Sequence, residues 1–204
     1  MKGDRAKWEA RYASGDPRHD AAPVPLLASW VTRLTPGRAL DIGAGLGRHA
    51  ILLAGHGWTV DAVDISLNGL AELRRRAQRA GVRVNLVAAD LDDFAVRPAS
   101  YDLIVQTFFL DLRLLPRLRC WLRPGGYLYI ETHVRTPGER SGGRYALGPG
   151  ELKRLVRGWE IVAYAEGDRP EGVHRFATAG ALVRRPADSR PAVRSEEHTP
   201  VRPP

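Results

Sequence analysis

Apolar residues in this chain fall into short dense runs separated by amphipathic stretches, a pattern that starts at residue 38 and continues to residue 183. Residues 38–42, 58–63, 82–88, 101–106 and 127–132 are short and rich in Leu, Ile, Val, Ala and Tyr, the pattern of strands covered on both faces. Between them the spacing predicts helices. One covers 47–54 and is closed by Gly55-His56-Gly57. A second runs from Ser66, as N-cap, to Ala80, with Leu67, Leu70 and Leu73 inward, Arg74, Arg75, Arg76 and Arg79 mostly toward water, and Gly81 as the stop. A third covers 111–122, followed by a Pro124-Gly125-Gly126 turn. Two short helices precede the first strand: 7–12, carrying Trp8 and Tyr12, and 23–33, with Leu26, Leu27, Trp30, Val31 and Leu34 at helical spacing, stopped by Thr35-Pro36-Gly37. After a polar, glycine-rich loop over 134–148 and a short helix at 151–156, residues 159–165 and 174–183 flank the polar stretch 166–172 and predict an antiparallel hairpin at the sheet edge.

Strands alternating with helices in this way predict an α/β fold, a doubly wound, Rossmann-like sheet that is mostly parallel with an antiparallel C-terminal edge hairpin. Ligands of such sheets bind at the carboxyl ends of the strands, near the point where strand order reverses. Asp41, Asp64, Asp90 and Gln106 all fall at such ends. Directly after Asp41 comes Gly43-Ala44-Gly45-Leu46-Gly47, opening a helix. Gly43 and Gly45 permit a tight turn and close approach of backbone to a ligand, and Gly47 is expected to let the helix start pack near the strand. Alone, this loop suits any adenine-containing cofactor.

Composition narrows the field. With 204 residues and 44% hydrophobic content the chain fits one domain. The expected division is a helical cap over 1–36, a domain over 37–185 and a disordered tail over 186–204. The tail is rich in proline and poor in apolar residues, and its Arg194-Ser195-Glu196-Glu197-His198-Thr199 reads as one frame of a sequencing adapter, an assembly artefact. The net charge of +8 comes almost wholly from arginine, with lysine only at Lys2, Lys7 and Lys153. These arginines are dispersed over helices and tail, which reads as a solubility and codon-usage effect rather than a nucleic-acid surface. Cys120 is the sole cysteine, which excludes an internal disulfide and a cysteine-built metal site. Its neighbours Leu118, Trp121 and Leu122 predict a buried structural thiol, and no metal is expected. No stretch has the length of a membrane span and the first twelve residues lack an apolar core, so a cytoplasmic protein without membrane contact is expected.

Leu40-Asp41-Ile42-Gly43-Ala44-Gly45-Leu46-Gly47, Ala62-Val63-Asp64-Ile65-Ser66, Ala89-Asp90-Leu91, Tyr101-Asp102-Leu103-Ile104-Val105 and Leu122-Arg123-Pro124-Gly125-Gly126 together resemble the successive motifs of class I S-adenosylmethionine-dependent methyltransferases. Dinucleotide dehydrogenases favour G-x-G-x-x-G, whereas this loop is G-x-G-x-G preceded by aspartate. The resemblance implies the seven-stranded fold of that class, with S-adenosyl-L-methionine as cofactor. It places Gly43, Ala44, Gly45 and Gly47 along the methionyl portion, Asp41 beside the ammonium and Asp64 on the ribose hydroxyls. Asp90 and the Leu91 amide fall on adenine, Ile65 on its ring and Gln106 at the neighbouring strand end.

Trp8-Glu9-Ala10-Arg11-Tyr12, Gly47-Arg48-His49-Ala50, Gly158-Trp159-Glu160-Ile161 and His174-Arg175-Phe176-Ala177-Thr178 further resemble the tellurite-resistance and thiol-methylating members of the class. That resemblance implies a small-molecule acceptor, either a thiol, a chalcogen oxyanion or a similar nucleophile, surrounded by Arg11, Tyr12, Arg48, His174 and Arg175, with His133 and Tyr145 as further candidates. Among these, His174, Arg175, Arg48 and Tyr12 are the candidate catalytic residues. Arginine suits an oxyanion through its planar fork, and a neutral histidine takes a proton from a thiol or hydroxyl. The strand-end sequence Gln106-Thr107-Phe108-Phe109 lacks the Asn-Pro-Pro-Tyr of base amino-methylation, which weighs against a nucleic-acid acceptor. A non-catalytic cofactor-binding module is the alternative, and the oligomeric state stays open.

Overall fold

The computed structural model describes residues 4–14, 22–135, 146–171 and 174–187, with backbone alone over 169–176. The chain order is α1 (Asp4–Ala13), α2 (Pro25–Val31), β1 (Arg38–Ile42), α3 (Arg48–Gly55), β2 (Thr59–Asp64), α4 (Leu67–Arg79), β3 (Asn85–Ala88), β4 (Tyr101–Thr107), a 3-10 turn (Leu112–Leu114), α5 (Leu115–Trp121), β5 (Leu122–His133), α6 (Glu151–Leu155), β6 (Glu160–Glu171) and β7 (His174–Arg184). The seven strands form one sheet in the order β3-β2-β1-β4-β5-β7-β6. The first five strands are parallel, and β7 runs antiparallel to both β5 and β6. Strand order reverses between β1 and β4, where Ile42 lies opposite Gln106. This is the expected doubly wound α/β sheet with an antiparallel edge.

Two apolar layers hold it. On one face Leu40, Ile42, Ile104, Leu118, Trp121, Leu128 and Ile130 pack with α5 and α6. On the other Ala39, Val60, Ala62, Leu103, Val105 and Tyr129 pack with α2, α3 and α4. Alternate residues of one strand thus serve opposite layers, and both are apolar, as the dense runs predict.

Several expectations shift on local grounds. The helix expected over 111–122 divides: Asp111 caps a 3-10 turn by accepting from the Arg113 amide, and α5 starts only at Leu115, with Pro116 in its first turn. Cys120 is exposed, not buried, because Leu118 and Trp121 take the inward positions of α5. Leu67 is likewise 57% exposed, and Gly69 fills the inward position of that first turn. The third strand is shorter than the apolar run and begins at Asn85. Pro124-Gly125-Gly126 forms a bulge inside β5, between the pairs Tyr101–Leu122 and Leu103–Tyr127. Backbone bonds from Gly125 N to Arg185 O (2.9 Å) and from Arg185 N to Gly126 O (2.8 Å) keep that bulge within the sheet. The 166–172 stretch, expected as a loop, is largely strand, since β6 and β7 stay paired out to Glu171 and His174. The tail beyond residue 187 lies outside the described residues. No helix among the described residues is long and apolar enough to cross a membrane.

Candidate active site

The glycine loop leaves β1 and is held against β2: the Gly43 and Ala44 amides donate to the Val63 carbonyl at 2.9 and 3.1 Å. The Gly45 amide donates to Asp64 Oδ2 at 2.8 Å, and the Ser66 amide donates to Asp64 Oδ1 at 2.8 Å. One buried carboxylate therefore joins the loop to the start of α4. Gly47 caps α3 with φ +82°, and a Cβ there would lie 2.2 Å from Leu73 Cγ. The close neighbour that demands glycine is thus α4, not the strand anticipated from the motif.

Asp41, at the end of β1, accepts from the Ala50 amide at 3.1 Å and is fully buried. Burial raises its carboxyl to about 7, reinforced by Asp64 and only partly countered by the Ala50 amide and Arg48. Asp64 is also raised, chiefly by burial. Beyond β3, Asp90 turns the chain: its Oδ1 accepts from the Asp92 amide at 3.0 Å and its carbonyl from Asp93 and Phe94. The Ala89 amide donates to the Asp64 carbonyl at 3.1 Å, which brings the Asp64 and Asp90 ends side by side. Leu91 is buried, with its carbonyl taken by Arg117, and Ile65 is half-buried.

Gln106 sits between the end of β1 and the end of β5, opposite Ile42 and Ile130. Its carboxamide is fully buried, and neither Nε2 nor Oε1 has a hydrogen-bond partner among the described residues. Buried polar groups are nearly always paired, so this amide is suited to a polar partner that the described residues do not supply. Together with the strand-end carboxylates, the loop backbone and the close-packed glycines, it fits a zwitterionic, ribose-bearing cofactor such as S-adenosylmethionine.

Past Gln106 the character changes. Phe108 holds φ +53°, rare for a bulky residue, while its amide donates to the Glu131 carbonyl at 2.8 Å. The Arg48 guanidinium lies 5.1 Å from its ring centre and the His133 imidazole 4.9 Å, so residues from α3 and β5 meet on the aromatic ring that follows β4. Phe109 packs on Gly43, 3.1 Å from where a Cβ would stand. His49, buried beneath, accepts from the Val24 amide at Nε2 (3.3 Å), so its neutral ring donates from Nδ1 to Thr107 Oγ1 (3.1 Å) and ties α2 to the end of β4.

The remaining acceptor candidates are scattered. Tyr12 places its ring on Gly69 and its hydroxyl against Gly45, on the cofactor loop. Burial and the charge of Asp64 push its phenol well above the usual value, so it is a proton donor and not a base at neutral pH. Arg11 lies over the Trp8 ring at 5.1 Å. His174 and Arg175 start β7, paired with Glu171 and Pro170, beyond the His133–Thr178 pair at the ligand end of the sheet. Their side chains, and Tyr145 altogether, lie outside the described residues. No cluster of metal-binding side chains occurs among the described residues. Phe108, Phe109 and Glu9 are the site neighbours that sequence reasoning missed. For the two phenylalanines, adjacent aromatics directly after a buried strand were the available signal.

Known proteins share the sequence and fold of this region. Residues 39–126 match the methyltransferase domain family. A ribosomal RNA small subunit methyltransferase C of Alcanivorax borkumensis is 28% identical over 110 residues, 50% of this chain and 34% of that protein. A ubiquinone biosynthesis O-methyltransferase of Burkholderia multivorans is 27% identical over 135 residues, 62% of this chain and 57% of that protein. The chain thus spans less than two thirds of either relative's length. Among solved structures, 1,6-didemethyltoxoflavin-N1-methyltransferase of Burkholderia thailandensis, with 1,6-didemethyltoxoflavin and S-adenosylhomocysteine bound, superposes with a TM-score of 0.70 at 23% identity, covering 89% of this chain and 87% of that one. From the glycine loop to the Pro124-Gly125-Gly126 bulge the chain is thus similar to the methyltransferase domain family, and its seven-stranded sheet has the fold of a solved methyltransferase.

Proposed function

We propose that this protein transfers the methyl group of S-adenosylmethionine to a small-molecule acceptor: a thiol, a chalcogen oxyanion or a comparably compact nucleophile. The observation that carries this reading is the unpartnered Gln106 amide, buried where the carboxylate-lined cofactor edge meets Arg48, Phe108 and His133. The cofactor, when bound, would supply a methyl group on a sulfonium sulfur, which the acceptor's lone pair takes in line as the carbon–sulfur bond breaks and the neutral thioether S-adenosylhomocysteine leaves. The chain's part is alignment. Asp41 faces the ammonium, Asp64 takes the ribose hydroxyls, and Asp90, the Leu91 amide and Ile65 hold the adenine. Arg48 holds an acceptor oxygen through its planar fork. A neutral imidazole, His133 or His174, takes the proton of a thiol or hydroxyl. The motifs around Trp8, Arg48, Trp159 and His174 support the tellurite-resistance and thiol-methylating type within the class.

An RNA acceptor is the second reading, favoured by the ribosomal RNA relative and the +8 charge. Several of the arginines are already engaged within the fold: Glu72 binds Arg75, Arg76 and Arg79, Arg113 pairs with Asp111 and Asp92, and Arg123 pairs with Asp102. Incubation with labelled S-adenosylmethionine and, in separate arms, small thiols, selenite, tellurite and ribosomal RNA tests both. Label in a small product supports the first reading, and label only in RNA replaces it with the second. Cofactor binding without transfer in any arm points to a non-catalytic module.

A further inference from the structure

Helix α4 starts with the exposed amides of Leu67 and Asn68, which a helix cannot satisfy internally. A local capping box would place Glu or Gln at residue 69, but that residue is glycine, because the Tyr12 ring occupies the space its Cβ would need, at 3.0 and 3.1 Å. The missing carboxylate arrives instead from α1. Glu9 Oε1 accepts from the Leu67 amide (2.7 Å), and its Oε2 accepts from the Asn68 amide (3.0 Å) and the Ser66 hydroxyl (2.9 Å). Asn68 Nδ2 returns a bond to the Glu9 carbonyl (3.2 Å). Burial acts to raise the Glu9 carboxyl, but the Asn68 and Leu67 amides, the Ser66 hydroxyl and Arg5 outweigh it and hold the group below its ordinary value.

The same Ser66 donates its amide to Asp64, and Asp64 in turn holds Gly45. Glu9, Ser66, Asp64 and the glycine loop therefore form one continuous chain of hydrogen bonds, while Tyr12 of the same helix covers Gly45. Helix α1 is ten residues long and, apart from the Tyr12 ring covered by Gly45 and Gly69, sends no side chain into the core, so its place depends on this seam. We propose that Glu9 is a positioning residue that locks α1 over the cofactor loop, so that cofactor binding and the docking of α1 stabilise each other. The proposal rests on the methyltransferase reading above. A ligand held by Asp64 and the loop strengthens the docked state, and by reciprocity the docked helix strengthens the ligand.

The test uses the full chain, with Glu9→Ala and Glu9→Gln as variants and S-adenosylhomocysteine as the calorimetric probe. Glu9→Ala is expected to weaken binding about tenfold, with Glu9→Gln intermediate because one amide oxygen replaces two carboxylate oxygens. Where an acceptor is turned over, the KM for S-adenosylmethionine rises while kcat at saturating cofactor stays within about threefold. In the wild type, S-adenosylhomocysteine slows tryptic cleavage after Arg11, and in Glu9→Ala this protection is lost. If the wild type binds S-adenosylhomocysteine and Glu9→Ala binds it equally well, or if protection persists in the variant, the lock is overturned and the methyltransferase reading stands. If the wild type binds none, both fall.

Discussion

At the ends of β1, β2 and β3 the ligand-facing groups are loop backbone and short carboxylates, each fixed by bonds to amides a few residues away or on the adjacent strand. At the ends of β4 and β5 they are long side chains, Arg48 from α3 and His133 from β5, meeting on a phenylalanine held at positive φ. The first edge depends on chain geometry and resists substitution. The second depends on which side chains converge there, and under the proposed function it is the edge that selects the acceptor. The contrast also separates electrostatics: raised, buried aspartates on one side, an arginine and a histidine on the other.

The largest expected effect is Gly47→Ala. A Cβ 2.2 Å from Leu73 Cγ, on backbone at φ +82°, should cost about 2–4 kcal/mol in urea unfolding, and a cost under about 1 kcal/mol would mean the loop is not packed against α4 as described. Next is Asp64→Ala, which strands the Gly45 and Ser66 amides. It should weaken S-adenosylhomocysteine about 100-fold by calorimetry, and an affinity close to wild type would remove Asp64 from the cofactor edge.

The third concerns pH. Because the folded Asp41 carboxyl is raised to about 7, its protonated form favours the fold: this contribution is full below about pH 4 and is lost as pH rises through about 7. Cofactor binding runs the opposite way, since an ammonium needs the charged carboxylate. Affinity should fall up to about tenfold per pH unit below 7, with proton release on binding, and Asp41→Asn should flatten the profile. A wild-type profile already flat between pH 5 and 8 would contradict it.

The smallest effect tests the other edge. Phe108→Gly relieves the positive φ and should leave stability within about 1 kcal/mol and S-adenosylhomocysteine affinity within about threefold, while lowering kcat/KM for the acceptor about tenfold. A loss of cofactor affinity as large as that of Asp64→Ala would erase the distinction between the two edges.

The strands of the parallel half were legible because each is a short apolar run bounded by glycine, proline or a carboxylate, and β1 emerges with the expected ends, Arg38 and Ile42. The glycine loop and Asp64 were legible because they are contiguous with those strands. Cys120 and Leu67 were misjudged because an apolar or small residue on a helix signals burial only when its angular position is known, and in each case neighbours took the inward positions. Ser66 was legible as the cap of α4, and its side chain accepts from the Gly69 amide, but the contribution of Glu9 was invisible for a different reason: its carboxylate lies 58 residues from the amide of Leu67 that it satisfies.

By itself, then, the order of residues determined the parallel strands, the strand-end carboxylates and the turn that needs glycine, since these follow from hydrophobic period and backbone sterics acting over a few residues. Only the tertiary structure decided that Gly47 answers to Leu73, that Glu9 caps a helix on another element, that Gln106 has no partner among the described residues, and that Arg48 and His133 share the ring of Phe108. Those relations are distances across the sheet, and no local preference of the chain encodes them.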